Sequence, residues 1–106
     1  MISLSEFRQL DLRIGQITSA EPIEGADRLL RVEVDLGAER RTLVAGLARH
    51  YTPTSLLGTR VVVLANIEPA VIRGVRSQGM LLGADCGAAP ALLTVDQAIE
   101  NGTPVR

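Results

Sequence analysis

Residues 61–84 have the sequence VVVLANIEPAVIRGVRSQGMLLGA, and the fold prediction starts from this stretch. It begins with an apolar run broken only by Asn66, and it ends with a second apolar run that starts at Met80. Apolar runs rich in β-branched residues and bounded by Gly and Pro are typical of buried strands. We therefore expect two strands here, joined by a polar connection of the kind that often carries binding residues.

Three more strands are predicted before this stretch. In residues 30–36, Leu and Val alternate with charged residues, which is the pattern of a strand with one buried face. A Gly-Ala-Glu turn follows, and residues 41–47 are predicted to form a third strand that pairs back on the second. Residues 12–17 form the first strand, in which the apolar positions change phase around Gly15. Because a β-bulge produces such a slip, we expect a bulge at Gly15 that curls the sheet.

Short helical segments are predicted at two places. Ser3 and Glu6 have capping-box spacing, which predicts a helix over residues 4–10 with its apolar side chains packed inward. Thr-Pro at 52–53 followed by Gly58 predicts about one helical turn between the third and fourth strands.

The order of these elements predicts an all-β fold. After a Gly/Ala loop, residues 92–95 predict a short edge strand, and residues 96–100 predict a helical turn that ends at Asn101-Gly102. Five main strands with short helical links and no βαβ alternation favour a five-stranded OB-fold barrel with a C-terminal extension. An SH3-like barrel is the alternative. We expect residues 1–106 to form a single domain.

The composition is that of an ordinary globular domain, with 46% hydrophobic and 22% charged residues. No apolar run approaches the roughly 18 residues of a membrane span, and the N-terminus has no signal-peptide pattern. The single cysteine, Cys86, excludes an internal disulfide and a thiolate metal cage. Because one free thiol fits a reducing compartment, we expect a cytoplasmic protein. We also expect no membrane association, no metal and no cofactor.

The net charge of −1 conceals an uneven distribution of charge along the sequence. Residues 40–84 contain six arginines and one acidic residue, Glu68, whereas the segments on both sides carry more acidic than basic residues. A basic region of this kind is expected of a protein that binds a polyanion. The alternative is that folding mixes these charges with the acidic ones in space.

The sequence offers few residues for catalysis or for base stacking. His50 is the only histidine and Cys86 the only thiol, and no phosphate-cradling glycine loop is present, so we expect a non-catalytic protein. The aromatic residues are Phe7 and Tyr51 alone, and the stacking platforms of OB-folds that bind single strands are therefore missing. Binding through phosphates and shape would favour a folded RNA.

Six segments of the sequence, taken in order, resemble one known family. They are LRIG (12–15), GADRL (25–29), VDLG (34–37), VLAN (63–66), IRG (72–74) and SQGMLL (77–82). The family is the tRNA-binding domain found at the C-terminus of many bacterial methionyl-tRNA synthetases, which also occurs as free-standing, structure-specific tRNA-binding proteins. The resemblance covers essentially the whole chain.

The resemblance implies an OB-fold homodimer that holds tRNA by its L-shape rather than by its anticodon sequence. It assigns tRNA binding to Arg28, Asn66, Arg73, Ser77 and Met80. We add Arg76, because Arg73 and Arg76 flank Gly74 and offer bidentate donors to phosphate where the backbone can approach closely.

The chain departs from the family around Pro69. Family members commonly carry basic residues there, whereas this chain has Glu68, Ala70 and Val71, so up to three phosphate contacts are missing. A second branch of the superfamily, the CsaA-type secretion chaperones, shares the barrel and the dimer but binds polypeptide. The Ser-Gln-Gly-Met segment here resembles the tRNA branch more closely.

Two further interpretations concern the setting of the domain. The chain resembles either a free-standing protein or a separated domain or subunit that works with a methionyl-tRNA synthetase. If the lost basic residues abolish RNA binding, a purely structural dimerisation module is the remaining alternative.

Overall fold

The computed structural model describes the whole chain, residues 1–106, as nine strands and two short helices. In chain order these elements are α1 (Leu4–Phe7), β1 (Leu12–Ile23), β2 (Ala26–Asp35), β3 (Arg40–Ala45), α2 (Pro53–Leu56), β4 (Arg60–Leu64), β5 (Ala70–Ile72), β6 (Val75–Ser77), β7 (Met80–Leu81), β8 (Gly83–Asp85) and β9 (Pro90–Leu92). Neither helix has the length and hydropathy that crossing a membrane requires.

Five strands form one antiparallel sheet in the order β3-β2-β1-β4-β7, which is the five-stranded OB-like fold predicted from the sequence. The sheet is open, because no ladder joins its two edge strands, β3 and β7. Instead, the Gln78 amide donates to the Thr42 carbonyl at 2.9 Å, and Ser77 Oγ accepts from the Val44 amide at 3.0 Å. The expected barrel is therefore an open sheet whose edges approach each other through single contacts.

β1 is the longest strand, and it changes partners along its length. Residues 12–16 pair with β4, and residues from Gln16 onward pair with β2. On the other edge of its first half lies the C-terminal segment, whose Thr103 carbonyl accepts a hydrogen bond from the Ile14 amide at 2.9 Å. The C-terminal extension thus adds to the sheet rather than standing apart from it.

The prediction of a bulge at Gly15 is wrong. The register between β1 and β2 shifts between Ile17 and Ser19, whereas Gly15 pairs regularly with Val61 of β4. Gly15 is required for a different reason, since a Cβ at this position would overlap Val34 Cγ1 on the neighbouring strand. The change of phase in the apolar pattern therefore marks a close approach of two strands, and the bulge follows it.

The main core contains side chains from β1 to β4 and from α2. The alternation predicted for residues 30–36 is confirmed, because every second residue from Leu30 to Leu36 lies in this core. Leu56 of α2 is 1% exposed and covers one end of it. The ten buried residues of the core are Ile17, Leu30, Val32, Val34, Leu36, Leu43, Leu47, Leu56, Val61 and Val63.

The N-terminal helix covers a second, smaller apolar cluster. Its capping box is confirmed, because the Glu6 amide donates to Ser3 Oγ and the Ser3 amide donates to Glu6 Oε1, each at 3.1 Å. The helix ends at Phe7, and Phe7 packs against the cluster. The inward packing expected of Leu4 and Leu10 is wrong, since these side chains are 61% and 45% exposed.

Two boundaries near the C-terminus also differ from the sequence prediction. The strand expected at residues 92–95 lies at β9, which pairs with β8 in a separate two-stranded sheet. Residues 96–100 form no helical turn. This segment is held instead by its carbonyl groups, as at Ile99, whose oxygen accepts from Arg60 Nε at 2.9 Å.

Candidate nucleic-acid interface

The connection between β4 and β7, residues 65–79, contains the β5–β6 hairpin. Ile72 lies opposite Val75, so a two-residue turn of Arg73 and Gly74 joins the strands. The φ angles of these two residues are 52° and 79°. Positive φ at both central residues defines a type I′ turn, whose twist matches that of the flanking strands. The hairpin was not predicted from the sequence, which indicated only a polar connection.

Arg73 is the only non-glycine residue of the chain with a positive φ. The left-handed conformation costs an L-residue roughly 1–2 kcal/mol, which glycine avoids. Residues held in such sparsely populated conformations concentrate at functional sites. The turn therefore holds an arginine, at an energetic cost, at the tip of an exposed hairpin.

Arg76 provides a second guanidinium on the same hairpin. It lies on β6 directly opposite Val71, and both side chains are exposed. Side chains alternate along a strand, so Arg76 lies on the outer face and Ser77 on the inner face. Neither Arg73 nor Arg76 takes part in a salt bridge or a side-chain hydrogen bond. All their N–H donors are available to a ligand.

Ser77 is engaged within the protein. Its side chain is buried, with the residue 5% exposed. The hydroxyl oxygen accepts from the Val44 amide at 3.0 Å, and the hydroxyl lies 3.4 Å from the Gly79 carbonyl, to which it donates. Ser77 therefore anchors the end of β6 to β3, and in this conformation its hydroxyl is not presented at the surface.

Asn66 holds the N-terminal segment against the start of the connection. Its Oδ1 accepts from the Asp11 amide at 2.8 Å, and its Nδ2 donates to the Gln9 carbonyl at 2.7 Å. Both ends of the side-chain amide thus bind main chain about 55 residues away in sequence. The residue is nevertheless exposed at the surface, beside the connection.

The remaining two predicted residues lie at different places. Met80 begins β7 opposite Leu64, close in sequence to the hairpin, and is 43% exposed. Arg28 lies near the start of β2, where its carbonyl accepts from the Ala48 amide at 3.1 Å. Its exposed side chain lines a cleft of about 340 Å³ formed with Gly46 and the β8–β9 hairpin. The structure thus brings Arg73 and Arg76 together and leaves Arg28 outside the hairpin.

An ion-pair network borders the connection and was not found from the sequence. Asp11 accepts from Arg13 at 2.6 Å, Arg13 lies 3.6 Å from Glu39, and Glu39 accepts from Arg41 Nε at 2.5 Å. The hydrogen bond from Arg13 lowers the pKa of Asp11 below its ordinary value. The hydrogen bond from Arg41 likewise lowers the pKa of Glu39. These acids neutralise two arginines at one edge of the sheet.

The remaining arginines of the basic region are distributed differently. Arg60 donates to a backbone carbonyl, whereas Arg40 and Arg49 are exposed and form no ion pair, like the two arginines of the hairpin. Glu68, the only acidic residue in this region, is exposed and forms no ion pair. Among the six arginines of residues 40–84, Arg41 alone therefore forms a salt bridge with an acidic side chain, and the two arginines of the hairpin remain unpaired.

The only histidine and the only cysteine meet at the surface, an adjacency that the sequence did not predict. Cys86 Sγ lies 4.0 Å from His50 Nε2 and donates to the Ala89 carbonyl at 2.7 Å. No carboxylate or amide side chain is hydrogen-bonded to the imidazole, so the pair lacks the third group that orients a catalytic histidine. No group of three or more His, Cys, Asp and Glu residues is arranged to hold a metal ion.

The sequence matches one family model and a small part of much longer proteins. Residues 12–104 match the family model described as "Putative tRNA binding domain". The chain is 51% identical over 105 residues to the methionine–tRNA ligase of Pyrococcus furiosus and 38% identical over 105 residues to that of Bacillus subtilis. Both alignments include 99% of this chain, which spans only 14% and 16% of the length of these relatives.

Two solved structures with the same fold belong to proteins with different descriptions. A MetRS-related protein from Pyrococcus horikoshii superimposes with a TM-score of 0.92 at 31% identity, covering 100% of this chain and 98% of the other. The chaperone CsaA from Bacillus anthracis str. Ames also gives a TM-score of 0.92, at 30% identity, covering 100% of this chain and 99% of the other. Backbone similarity alone therefore does not distinguish the two descriptions.

Proposed function

We propose that this chain, which belongs to the tRNA-binding domain family, binds folded tRNA as a non-catalytic homodimer. The observation that carries the proposal is the β5–β6 hairpin, where Arg73 and Arg76 are exposed and have no partner within the protein. Both lie in a region that contains six arginines and one acidic residue. Guanidinium groups form bidentate, charge-assisted hydrogen bonds with phosphate oxygens.

In this proposal the hairpin binds phosphate, and the residues around it make the contacts that recognise the folded shape of the RNA. Arg73 at the tip and Arg76 on the outer face contact the RNA backbone, and Met80 packs its exposed thioether against a sugar or a base. Arg28 contributes a separate contact from the start of β2. Asn66 and Ser77 act through the internal hydrogen bonds that fix both ends of the connection. Specificity for folded RNA follows from the spacing of these contacts, because the chain has no aromatic platform for stacking bases.

A gel-shift comparison tests the ligand class. The protein is titrated against folded tRNA, against a single-stranded RNA of matched length and against an unfolded polypeptide. Folded tRNA should bind tightest, and the double variant Arg73→Ala/Arg76→Ala should lose this preference. Arg106→Ala, which removes an exposed arginine at the other end of the chain, is the matched control. Equal binding of both RNAs, or no effect of the double variant, would contradict the proposal.

The homodimer is supported by exposed apolar side chains. Met1, Ile2 and Leu4 at the N-terminus are exposed, as is Leu93 near the C-terminus. Exposed apolar side chains are buried where they lie in an interface between subunits, and two-fold dimers are the commonest assemblies. Light scattering at low micromolar concentration should give twice the chain mass of 11.3 kDa. A mass of one chain under these conditions would refute the dimer.

A peptide-binding chaperone is the second candidate. It is favoured by the likeness to a structure described as the chaperone CsaA and by the exposed apolar residues Ile67 and Val71 on the connection. Preferential binding of the unfolded polypeptide in the same gel-shift experiment would support this candidate over tRNA binding.

We also propose the larger protein or complex in which this domain functions. Because the relatives are methionine–tRNA ligases of which this chain corresponds to a small part, we infer that it supplies tRNA affinity to a methionyl-tRNA synthetase, in the same chain or as a subunit. Such a role places it in the cytoplasm. Co-purification with the synthetase catalytic region, and a lower KM for tRNA in its presence, would support this assignment.

A further inference from the structure

Arg41 occupies an unusual position on the edge strand β3. It lies opposite Val34 in the register of β2 and β3, two residues before Leu43, which is fully buried. Because side chains alternate along a strand, Arg41 shares the inner face with Leu43, whereas its neighbour Arg40 is exposed. An arginine on the inner face must find hydrogen-bond partners, since an unpaired buried charge is costly.

The partners of Arg41 are the two ends of the connection. Its Nη1 donates to the Ala65 carbonyl, directly after β4, and lies 3.4 Å from the Gln78 carbonyl, which directly follows β6 and is two residues before β7. One guanidinium therefore bridges the residues at which the connection begins and returns. The Gln78 amide also donates to the Thr42 carbonyl at 2.9 Å, so the returning end has a second bond to β3. For the Ala65 carbonyl, Arg41 is the link to β3.

The orientation of this guanidinium is fixed from its other side. Glu39 Oε1 accepts from Arg41 Nε at 2.5 Å, and Glu39 Oε2 lies 3.6 Å from Arg13 Nη1. The Arg41 side chain is only 21% exposed. A planar guanidinium can hold a carboxylate on one edge and two carbonyl groups on another, which a lysine ammonium cannot do in the same geometry.

We propose that Arg41 is a positioning residue that closes the base of the connection, so that Arg73 and Arg76 are presented to phosphate in a fixed geometry. The proposal rests on the RNA-binding function proposed for the hairpin. β5 and β6 pair over only three residues each, and a two-stranded hairpin of this size has little stability of its own. Its order therefore depends on how its two ends are held.

This role differs from direct binding of RNA. Nε and Nη1 of Arg41 already donate to Glu39, Ala65 and Gln78, whereas no guanidinium nitrogen of Arg73 or Arg76 has a partner within the protein. If substitution of Arg41 weakens RNA binding, we therefore expect the loss to arise from altered positions of Arg73 and Arg76 and not from a lost contact between Arg41 and RNA. The positive charge alone is not what Arg41 contributes.

The test compares Arg41→Lys, Arg41→Ala and Arg40→Ala in the full chain. Arg41→Lys keeps the charge but cannot make the bridge, and Arg40→Ala removes a charge from the adjacent, unpaired position. Hydrogen–deuterium exchange of residues 70–77 and the Kd for folded tRNA are measured for each variant, after a thermal melt has established that it is folded. Each affinity is measured again in the Arg73→Ala/Arg76→Ala background.

Both Arg41 variants should speed exchange in the hairpin while leaving the β1–β4 pairing protected. Their affinity for tRNA should fall roughly tenfold, the loss expected for hydrogen bonds to a charged group. In the double-alanine background the same substitutions should change affinity by less than about twofold, because residues that act through one another are not additive. Arg40→Ala should leave hairpin exchange unchanged.

Four results would overturn the proposal. Unchanged hairpin exchange in Arg41→Lys would show that the bridge does not order the connection. A loss of affinity in Arg41→Ala that Arg41→Lys does not show, or an equal loss for Arg41→Ala in both backgrounds, would make Arg41 a direct phosphate contact. Faster exchange with unchanged affinity would show that binding does not need an ordered hairpin. Failure of the RNA-binding function itself is distinguishable, because Arg73→Ala/Arg76→Ala would then be neutral with Arg41 intact.

Discussion

The sheet core and the β5–β6 hairpin use the same residue types for opposite purposes. Val61 and Val63 of β4 are fully buried, whereas Val71 of β5 is 73% exposed. Only one residue of the hairpin strands, Ser77, is buried, and its hydroxyl binds β3. The sheet therefore carries the apolar burial that stabilises the fold, and the hairpin leaves its outer side chains to a ligand.

This contrast teaches that stability and binding should separate by position in the molecule. A substitution in the core should lower the free energy of unfolding and leave the affinity of the folded molecules unchanged. A substitution of an outward hairpin side chain should do the reverse. Arg41 is the exception, because it lies on a sheet strand with a mostly buried side chain while its hydrogen bonds hold the two ends of the connection that carries the hairpin.

Leu30→Ala should give the largest effect on stability. Leu30 is 1% exposed in the main core, and removing such a side chain costs about 2–5 kcal/mol through lost burial and the cavity that remains. Urea unfolding followed by circular dichroism measures the loss. Leu57→Ala is the control, since Leu57 is 52% exposed and should change stability by less than about 0.5 kcal/mol. Similar losses in the two variants would contradict the assignment of the core.

Gly15→Val should also destabilise the sheet, by a smaller amount. A Cβ at Gly15 would overlap Val34 Cγ1 and lie 2.9 Å from Leu36 Cδ2, and the β-branched Val34 cannot rotate away freely. Overpacking of this kind costs about 1–3 kcal/mol.

Thermal unfolding of Gly15→Val and of Gly25→Ala gives the comparison for this prediction. Nothing lies within 4 Å of a Cβ built on Gly25, so only its positive φ opposes substitution there. If Gly15→Val melts like the wild type, the strands are not packed as closely as described.

Arg73→Ala should reverse the pattern and affect binding rather than stability. One charge-assisted contact is worth about 1.5–3 kcal/mol, so the affinity for folded tRNA should fall roughly ten- to a hundredfold. Arg73→Gly should lose the same affinity and also relieve the positive φ, with melting at or slightly above the wild-type temperature. Fluorescence anisotropy and thermal melts measure both effects. Retained affinity in either variant would remove the hairpin tip from the binding surface.

The parts of the fold that follow local patterns were predictable from the sequence. The alternation in β2 determined which residues are buried, and the Ser3–Glu6 spacing determined the helix start. The position of the bulge was not predictable in this way. β1 pairs with β4 and β2 at once, so its register depends on two partners that are distant in sequence.

The candidate site was less predictable, because its chemistry depends on contacts between distant segments. Nothing near Asn66 in the sequence indicates that its amide binds residues 9 and 11. The hairpin was missed because Arg-Gly is not the usual Asn-Gly turn signal. Arg41 did leave one signal: in β3 it falls on the same face as Leu43, and a charge at an inward position implies a structural partner.

Glu68→Lys should give the smallest effect on affinity, and it tests whether the electrostatic charge of the hairpin contributes to RNA binding. Glu68 is exposed, unpaired and just before β5, so it repels the phosphates that Arg73 and Arg76 attract. With about three phosphates neutralised, log affinity should fall with log salt at a slope of roughly −2 to −3 in the wild type. One added phosphate contact should steepen that slope by about 0.9 and tighten binding severalfold at low salt.

Glu100→Lys makes the same change of charge in the C-terminal segment and should leave the slope nearly unchanged, because it lies outside the connection. Identical slopes for the wild type and Glu68→Lys would mean that RNA does not approach this side of the hairpin, and the exposed Ile67 and Val71 would then favour a polypeptide ligand.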